Sequence, residues 1–173
     1  MIKNNMKITV LLGSPRKQNT NAMVEAFIKG AQKNHEVELL HVGRMNIKPC
    51  LGCGYCQRDN HSGTCVQKDD MQKVYEAWSN SDMVVFASAI YFWNFTGQMQ
   101  STISRLFSQM GCKSPDKYAL LLNSEDDDVY EAAIYAYKNT IDLFEGKDLG
   151  IFTMQGNKPE NRLKEIEEFG QKI

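Results

Sequence analysis

Short apolar runs alternate along the chain with longer stretches in which apolar residues recur every three or four positions. The runs Lys7–Leu12, Glu36–Val42, Asp82–Ala87, Lys117–Leu122 and Lys147–Met154 read as strands, the first by its length and β-branching. Asp82–Ala87 is nearly all apolar, as a central parallel strand covered on both faces must be. Between the runs, Met23, Phe27, Ile28 and Ala31 mark one buried helix face. Met71, Val74, Tyr75 and Trp78 mark a second, and Met99, Ile103, Leu106 and Phe107 a third. A fourth helix is expected to begin at Asp126–Asp128, whose charge suits a helix N-terminus, and to run towards Leu143 and Phe144. A fifth is expected from Pro159 to Phe169. Asn19 or Thr20 is expected to cap the first helix, and Asp69 or Asp70 the second.

Five strands, each followed by a helix, predict an α/β fold: a doubly wound five-stranded parallel sheet with right-handed crossovers and helices on both faces. Such sheets bind ligands beyond the carboxyl ends of their strands, near a topological switch point. Attention therefore falls on the loops after the first, third and fourth predicted strands. A cysteine-rich loop, about Asn46 to Gln67, follows the second.

Composition narrows the class. The 173 residues, 42% hydrophobic and 24% charged, predict one globular domain over residues 1–173. A net charge of −1 offers no basic footprint for nucleic acid. No apolar run approaches the ~20 residues that span a bilayer. The polar start, Met1 to Lys7, lacks the apolar region of a signal peptide, so a cytoplasmic location is expected.

The loop after the first strand reads Gly13-Ser14-Pro15-Arg16-Lys17-Gln18-Asn19-Thr20-Asn21. It joins a buried strand to a helix N-terminus, where backbone N–H groups and the helix dipole favour an anion. Ser14, Asn19, Thr20 and Asn21 add short polar donors, and Arg16 adds a planar fork suited to phosphate. Neither the Walker A spacing nor Gly-x-Gly-x-x-Gly is present. The loop suits a terminal phosphate of a mononucleotide; the plainer alternative is a tight polar turn with a helix cap.

Gly13-Ser14-Pro15-Arg16-Lys17 followed by Asn19-Thr20 resembles the FMN phosphate loop of the NADPH-dependent FMN reductase family, which includes the iron–sulfur flavoproteins. The resemblance continues through Pro49-Cys50-x-Gly52-Cys53-x-x-Cys56, Gly63-x-Cys65, Asp69-Asp70-Met71, and Ile90-Tyr91-Phe92 with Gly97 and Arg105. It covers roughly residues 7 to 125 and implies a flavodoxin-like fold with FMN as cofactor and NAD(P)H as electron donor. It also implies that Ser88, Ala89, Ile90, Tyr91, Phe92, Trp93 and Asn94 meet the flavin ring, with Asn123 and Ser124 near its pyrimidine edge. The chain departs from the family's common form in a phosphate loop one residue shorter, in Ala89 where proline is frequent, and in Gln100 and Ser104 where Lys and Asp are frequent.

Cys50, Cys53, Cys56 and Cys65 have the thiolate count of a 4Fe–4S cluster, such as the one the iron–sulfur flavoproteins hold in a similar loop. Zinc uses four thiolates as well, and the cysteines can equally pack as small hydrophobes beside the turns of Gly52, Gly54 and Gly63. Cys112 reads as a packing residue, and His35, His41 and His61 as surface or structural ones.

The expected activity is an FMN-dependent oxidoreductase, passing electrons from NAD(P)H to a flavin, quinone or similar small molecule, or to a protein. The alternatives are an iron–sulfur or flavodoxin-type electron carrier, and a redox module worked by the cysteine loop. The exposed aromatic run at Tyr91–Phe95 and the resemblance together predict a homodimer or homotetramer.

Overall fold

The computed structural model describes residues 5–58, 63–156 and 159–173. Six strands form: β1 (Lys7–Leu12), β2 (Glu36–Leu40), β3 (Met83–Tyr91), β4 (Asn94–Phe95), β5 (Lys117–Ser124) and β6 (Lys147–Gln155). Five helices join them: α1 (Asn19–Ala31), α2 (Met71–Asn80), α3 (Gly97–Arg105), α4 (Glu131–Leu143) and α5 (Glu160–Lys172). The parallel strands lie in the order β2-β1-β3-β5-β6, and β4 pairs antiparallel with the end of β3. The sheet is therefore the predicted doubly wound one, with a small hairpin added.

Alternation along the central strands divides the core into two layers. Ile8, Val10 and Leu12 of β1, with Met83, Val85 and Ala87 of β3, face α1 and α5. Leu11, Val84, Phe86, Tyr118, Leu120 and Leu122 face α2, α3 and α4. Val10, Leu12, Val84 and Val85 are fully buried. Each such side chain stabilises the fold by about 1.5–3 kcal/mol relative to exposure. On the first face α1 and α5 touch backbone to backbone: a Cβ on Gly30 would stand 2.0 Å from the Glu167 carbonyl oxygen, and one on Gly170 2.5 Å from that of Phe27.

Several boundaries differ from expectation. The fourth helix begins at Glu131, because Asp126–Asp128 are taken up in a turn: Asp126 N–H donates to Ser124 Oγ, and Val129 N–H to the Asp127 carbonyl. The cap position of α1 is Gln18, which makes no side-chain capping bond; Asn19 and Thr20 already lie inside the helix. Asp70 occupies the cap position of α2, but it is Asp69 Oδ1 that accepts from Met71 N–H. Strand β2 ends at Leu40, and a 3₁₀ turn, Val42–Arg44, follows His41.

From β1 the chain crosses to β2 on one side and returns to β3 on the other. The loops after β1 and β3 thus diverge at the switch point, the place where doubly wound sheets open a crevice. Among the described residues no helix is long and apolar enough to cross a membrane.

Candidate functional site

Gly13 opens the loop after β1 and is held at the switch point by its N–H, which donates to the Ala87 carbonyl at 2.8 Å. Three of the carbonyl oxygens in this loop are engaged by side chains. Thr96 Oγ1 donates to that of Gly13 at 2.8 Å, Arg44 Nε and Nη2 to that of Pro15 at 3.1 and 3.0 Å, and Ser14 Oγ to that of Arg16 at 3.3 Å. With these acceptors satisfied, what the loop has to offer an anion is N–H groups and side chains. No acidic residue stands in the first turn of α1. A cation-lined loop at the positive end of a thirteen-residue helix fits the phosphate of FMN in both charge and donor type.

The predicted phosphate residues divide. Ser14 and Thr20 are buried in the loop and first turn, while Arg16 is exposed at its rim, with its guanidinium carbon 5.8 Å from the centroid of the Tyr91 ring. Asn19 Nδ2 donates to the Gly156 carbonyl at 2.9 Å and so ties the loop to the end of β6. Asn21 donates to Glu25 one turn on, along the helix surface and away from the loop.

The predicted ring residues form a hairpin. Ile90 pairs with Phe95 and Tyr91 with Asn94, leaving Phe92 and Trp93 as a two-residue turn. Both have positive φ, 52° and 62°, a conformation uncommon for bulky residues. A turn with positive φ at both central positions matches the twist of the flanking strands, which is why hairpins use it. It carries Phe92 and Trp93 into solvent, 91% and 57% exposed. Ser88 does not reach this surface: it is fully buried, donates to the Ala89 carbonyl and accepts from Thr96 N–H. Ala89 is buried as well, and Asn94 Oδ1 accepts from Phe95 N–H.

Asn123 and Ser124 belong to β5 itself. Asn123 Nδ2 donates to the Met154 carbonyl at 2.7 Å and to that of Gly156 at 3.3 Å, so it braces β6. Ser124 joins Ile90, Phe92, Trp93, Asp126 and Val129 around a hollow of about 220 Å³. Two of the predicted flavin-facing segments therefore meet there. A larger hollow of about 820 Å³, bounded by Met6, His35, Asp82 and Phe169, lies at the amino ends of the strands, away from these loops.

The cysteine loop has a locked neck. Arg105, with its side chain 1% exposed, donates through Nη1 to Asp69 Oδ2 at 2.9 Å and to the Lys48 carbonyl at 3.0 Å, and through Nη2 to Asp69 Oδ1 at 3.3 Å. Its Nε donates to the Tyr75 hydroxyl. Asp69 also accepts from Lys48 N–H, and Asp70 Oδ2 from Asn46 N–H. Burial opposes the charge on Asp69, but the Arg105 hydrogen bond, the Lys48 and Met71 N–H groups and the Arg105 charge together hold its carboxyl below the ordinary value. Burial likewise opposes the Arg105 charge, and the bonds to Asp69 and Tyr75 outweigh it, raising its pKa.

Beyond the neck the thiols spread out. Cys50 and Cys53 are exposed; Cys56 and Cys65 are half-buried, with Cys65 packed against the core. Cys112, remote in sequence, comes to the loop: a Cβ on Gly63 would stand 3.0 Å from its sulfur. Among the described residues no three His, Cys, Asp or Glu side chains are gathered to hold a metal ion. The donor chemistry suits a cluster, though in this structure the four thiols are not gathered around one point. Where the family frequently has Lys and Asp, Gln100 Nε2 donates to the Phe95 carbonyl and Ser104 Oγ accepts from Cys50 N–H.

Three residues that sequence reasoning missed complete the site: Thr96, Arg44 and Gly156, each acting through a contact distant in sequence. Of the histidines, His35 bridges the termini, accepting from Met6 N–H and bonding the Ile173 carbonyl. His41 is half-buried beside Arg44 and Lys17, with both ring nitrogens shielded and, among the described residues, without hydrogen-bond partners. His61 lies outside the described residues.

Residues 6–124 match the model of the family described as NADPH-dependent FMN reductase. An iron–sulfur flavoprotein of Archaeoglobus fulgidus is 40% identical over 103 residues, 58% of this chain and 46% of that protein. One from Methanocaldococcus jannaschii is 36% identical over 101 residues, 58% of this chain and 50% of that protein. The chain spans about half the length of these curated relatives. The fold is shared with the NAD(P)H:quinone oxidoreductase from Methanothermobacter marburgensis, at a TM-score of 0.78 and 15% identity, covering 96% of this chain and 95% of that one.

Proposed function

The chain belongs to the NADPH-dependent FMN reductase family, and from that premise we propose that residues 1–173 act as one FMN-binding domain of an NAD(P)H:acceptor oxidoreductase. The observation that carries this reading is the meeting, at the switch point, of an anion-ready loop and an aromatic hairpin. Thr96 joins the two directly. Bound there, FMN would supply two-electron chemistry between a reduced nicotinamide and a flavin, quinone or similar small molecule, or a protein.

The protein's own part is to bind, orient and exclude water. Ser14, Arg16, Thr20 and the N–H groups at the start of α1 would hold the phosphate. Asn19 would act on the phosphate loop from behind, through Gly156. Ala89 to Asn94 would present backbone groups and aromatic rings to the flavin, and Ser124 a hydroxyl. Asn123 would fix the β5 and β6 ends against each other. The reaction needs no step through the cysteine loop.

Phe92 and Trp93 form an apolar projection at the mouth of the site, which supports a homodimer or homotetramer in which a partner chain covers it. All five cysteines are unbridged, which suits the reducing cytoplasm.

The test is a titration with FMN followed by steady-state NAD(P)H oxidation. One FMN per chain and turnover with a quinone or free flavin are expected. Arg16→Ala should weaken FMN by about 1.5–3 kcal/mol, the worth of a charge-assisted hydrogen bond. Equal affinity for FMN and riboflavin in the wild type would refute the phosphate assignment.

A further inference from the structure

Arg16, in the loop after β1, carries its charge across to the aromatic hairpin. Its guanidinium carbon lies over the Tyr91 ring, 5.8 Å from the centroid, within the range of a cation–π contact. Among the described residues no carboxylate forms an ion pair with it, so no protein anion competes for its charge. The other arginine of the site, Arg44, has already spent two of its donor groups on the Pro15 carbonyl.

Both ends of this contact are fixed. The loop behind Arg16 is pinned through Gly13 and Pro15. Tyr91 is pinned by its pairing with Asn94, on the far side of the Phe92–Trp93 turn. An aromatic face holds a guanidinium by charge and leaves its rim of N–H donors for an anion. A long side chain so held loses less rotamer freedom when the anion arrives.

We propose that Tyr91 is a positioning residue for phosphate recognition: its ring holds Arg16 at the loop, so that discrimination between FMN and riboflavin depends on a side chain that acts through the arginine. This rests on the reading that the loop binds the FMN phosphate. It also gives the hairpin a role at the phosphate end of the ligand, in addition to the ring end.

The experiment measures the dissociation constants of FMN and riboflavin, by flavin fluorescence quenching, for the wild type, Arg16→Ala, Tyr91→Phe, Tyr91→Leu and the Arg16→Ala/Tyr91→Leu double variant. Riboflavin serves as an internal control for folding and for ring contacts. Tyr91→Leu is expected to lower the preference for FMN over riboflavin about two- to five-fold, the worth of an exposed cation–π pair. Tyr91→Phe, which keeps the ring, should retain the wild-type preference. The double variant should show the same preference as Arg16→Ala alone. If Tyr91→Leu weakens both ligands equally, or lowers the preference as much without Arg16 as with it, the inference is overturned. If Arg16→Ala leaves the preference unchanged, the phosphate reading itself falls, and the role of Tyr91 with it.

Discussion

The hydroxyl of Thr96 donates to the carbonyl of Gly13 across 2.8 Å, although 83 residues separate them. The same oxygen accepts from Met99 N–H and so caps α3. One side chain therefore holds both the loop after β1 and the first turn of the helix behind the hairpin. Thr96→Val keeps the shape, removes both bonds and leaves buried groups unpaired. We expect a loss of about 1–3 kcal/mol in urea unfolding and weaker FMN binding, with Thr96→Ser close to wild type.

The buried pair of Arg105 and Asp69 makes a second prediction. Removing one partner strands the other charge away from water, which costs about 3–5 kcal/mol. Arg105→Met and Asp69→Asn should each lower the unfolding midpoint sharply. In variants that stay folded, trypsin should cut faster at Arg58 and Lys68 in the loop that the pair closes. Lysine at 105 cannot reproduce the forked contact with both carboxylate oxygens and should not rescue. Wild-type cleavage rates in a folded Arg105→Met protein would show that the pair does not hold the neck.

Gly30 and Gly97 should respond oppositely to alanine. At Gly30 the new methyl would stand 2.0 Å from the Glu167 carbonyl oxygen, a backbone atom that can yield only if α5 moves. The intrinsic helix gain of about 1 kcal/mol is then overwhelmed by strain, and net destabilisation of 1 kcal/mol or more is expected. At Gly97 an added Cβ would meet no atom within 4 Å among the described residues outside its chain neighbours and its own helix backbone. There the substitution should be neutral to mildly stabilising in the same denaturation assay.

Acid sensitivity should begin at His41. Burial, then the charges of Arg44 and Lys17, hold its pKa below the ordinary 6.5. Below that value the unfolded chain binds the proton and the folded one resists it, so stability falls as pH drops through 6.5 towards the folded pKa. The slope for one proton is at most about 1.4 kcal/mol per pH unit. His41→Leu should flatten the stability profile just below pH 6.5 while leaving it little changed at pH 8. The Asp69 carboxyl, held below its ordinary 3.8, contributes stability that is lost only at lower pH. A wild-type slope in the leucine variant would assign this acid loss to other groups.

The parts of the fold that rest on local pattern were legible in the sequence. The apolar run around Val84 and Val85 announces a central strand, and the spacing of Met71, Val74, Tyr75 and Trp78 announces α2. The hairpin was not legible, because Phe92 and Trp93 occupy positive-φ positions that glycine or asparagine usually signal. The start of α4 was misread because Ser124 and Asp127 offer the backbone a turn in place of a helix. At the site, residue types single out the loop after β1 as a candidate for phosphate, but no local signal says that Asn19 and Asn123 both end on the carbonyl of Gly156. Nor does one say that Ser88 turns inward to Thr96. Those are contacts between distant segments, fixed only once the sheet has assembled.

The neck at Lys48 and Asp69 has an evolutionary consequence. Both ends of the intervening segment are held by one guanidinium, so a change of length between them leaves the clamp itself in place. In a flexible loop, doubling the length between fixed ends costs only about 0.6 kcal/mol. Residues can thus be gained or lost beyond the clamp while the sheet, the phosphate loop and the hairpin stay as they are. The eight-residue interval between Cys56 and Cys65 lies between those two ends in the sequence. A lineage could lengthen it, move its thiols or exchange its contents, and still inherit the same sheet, the same loop after β1 and the same hairpin.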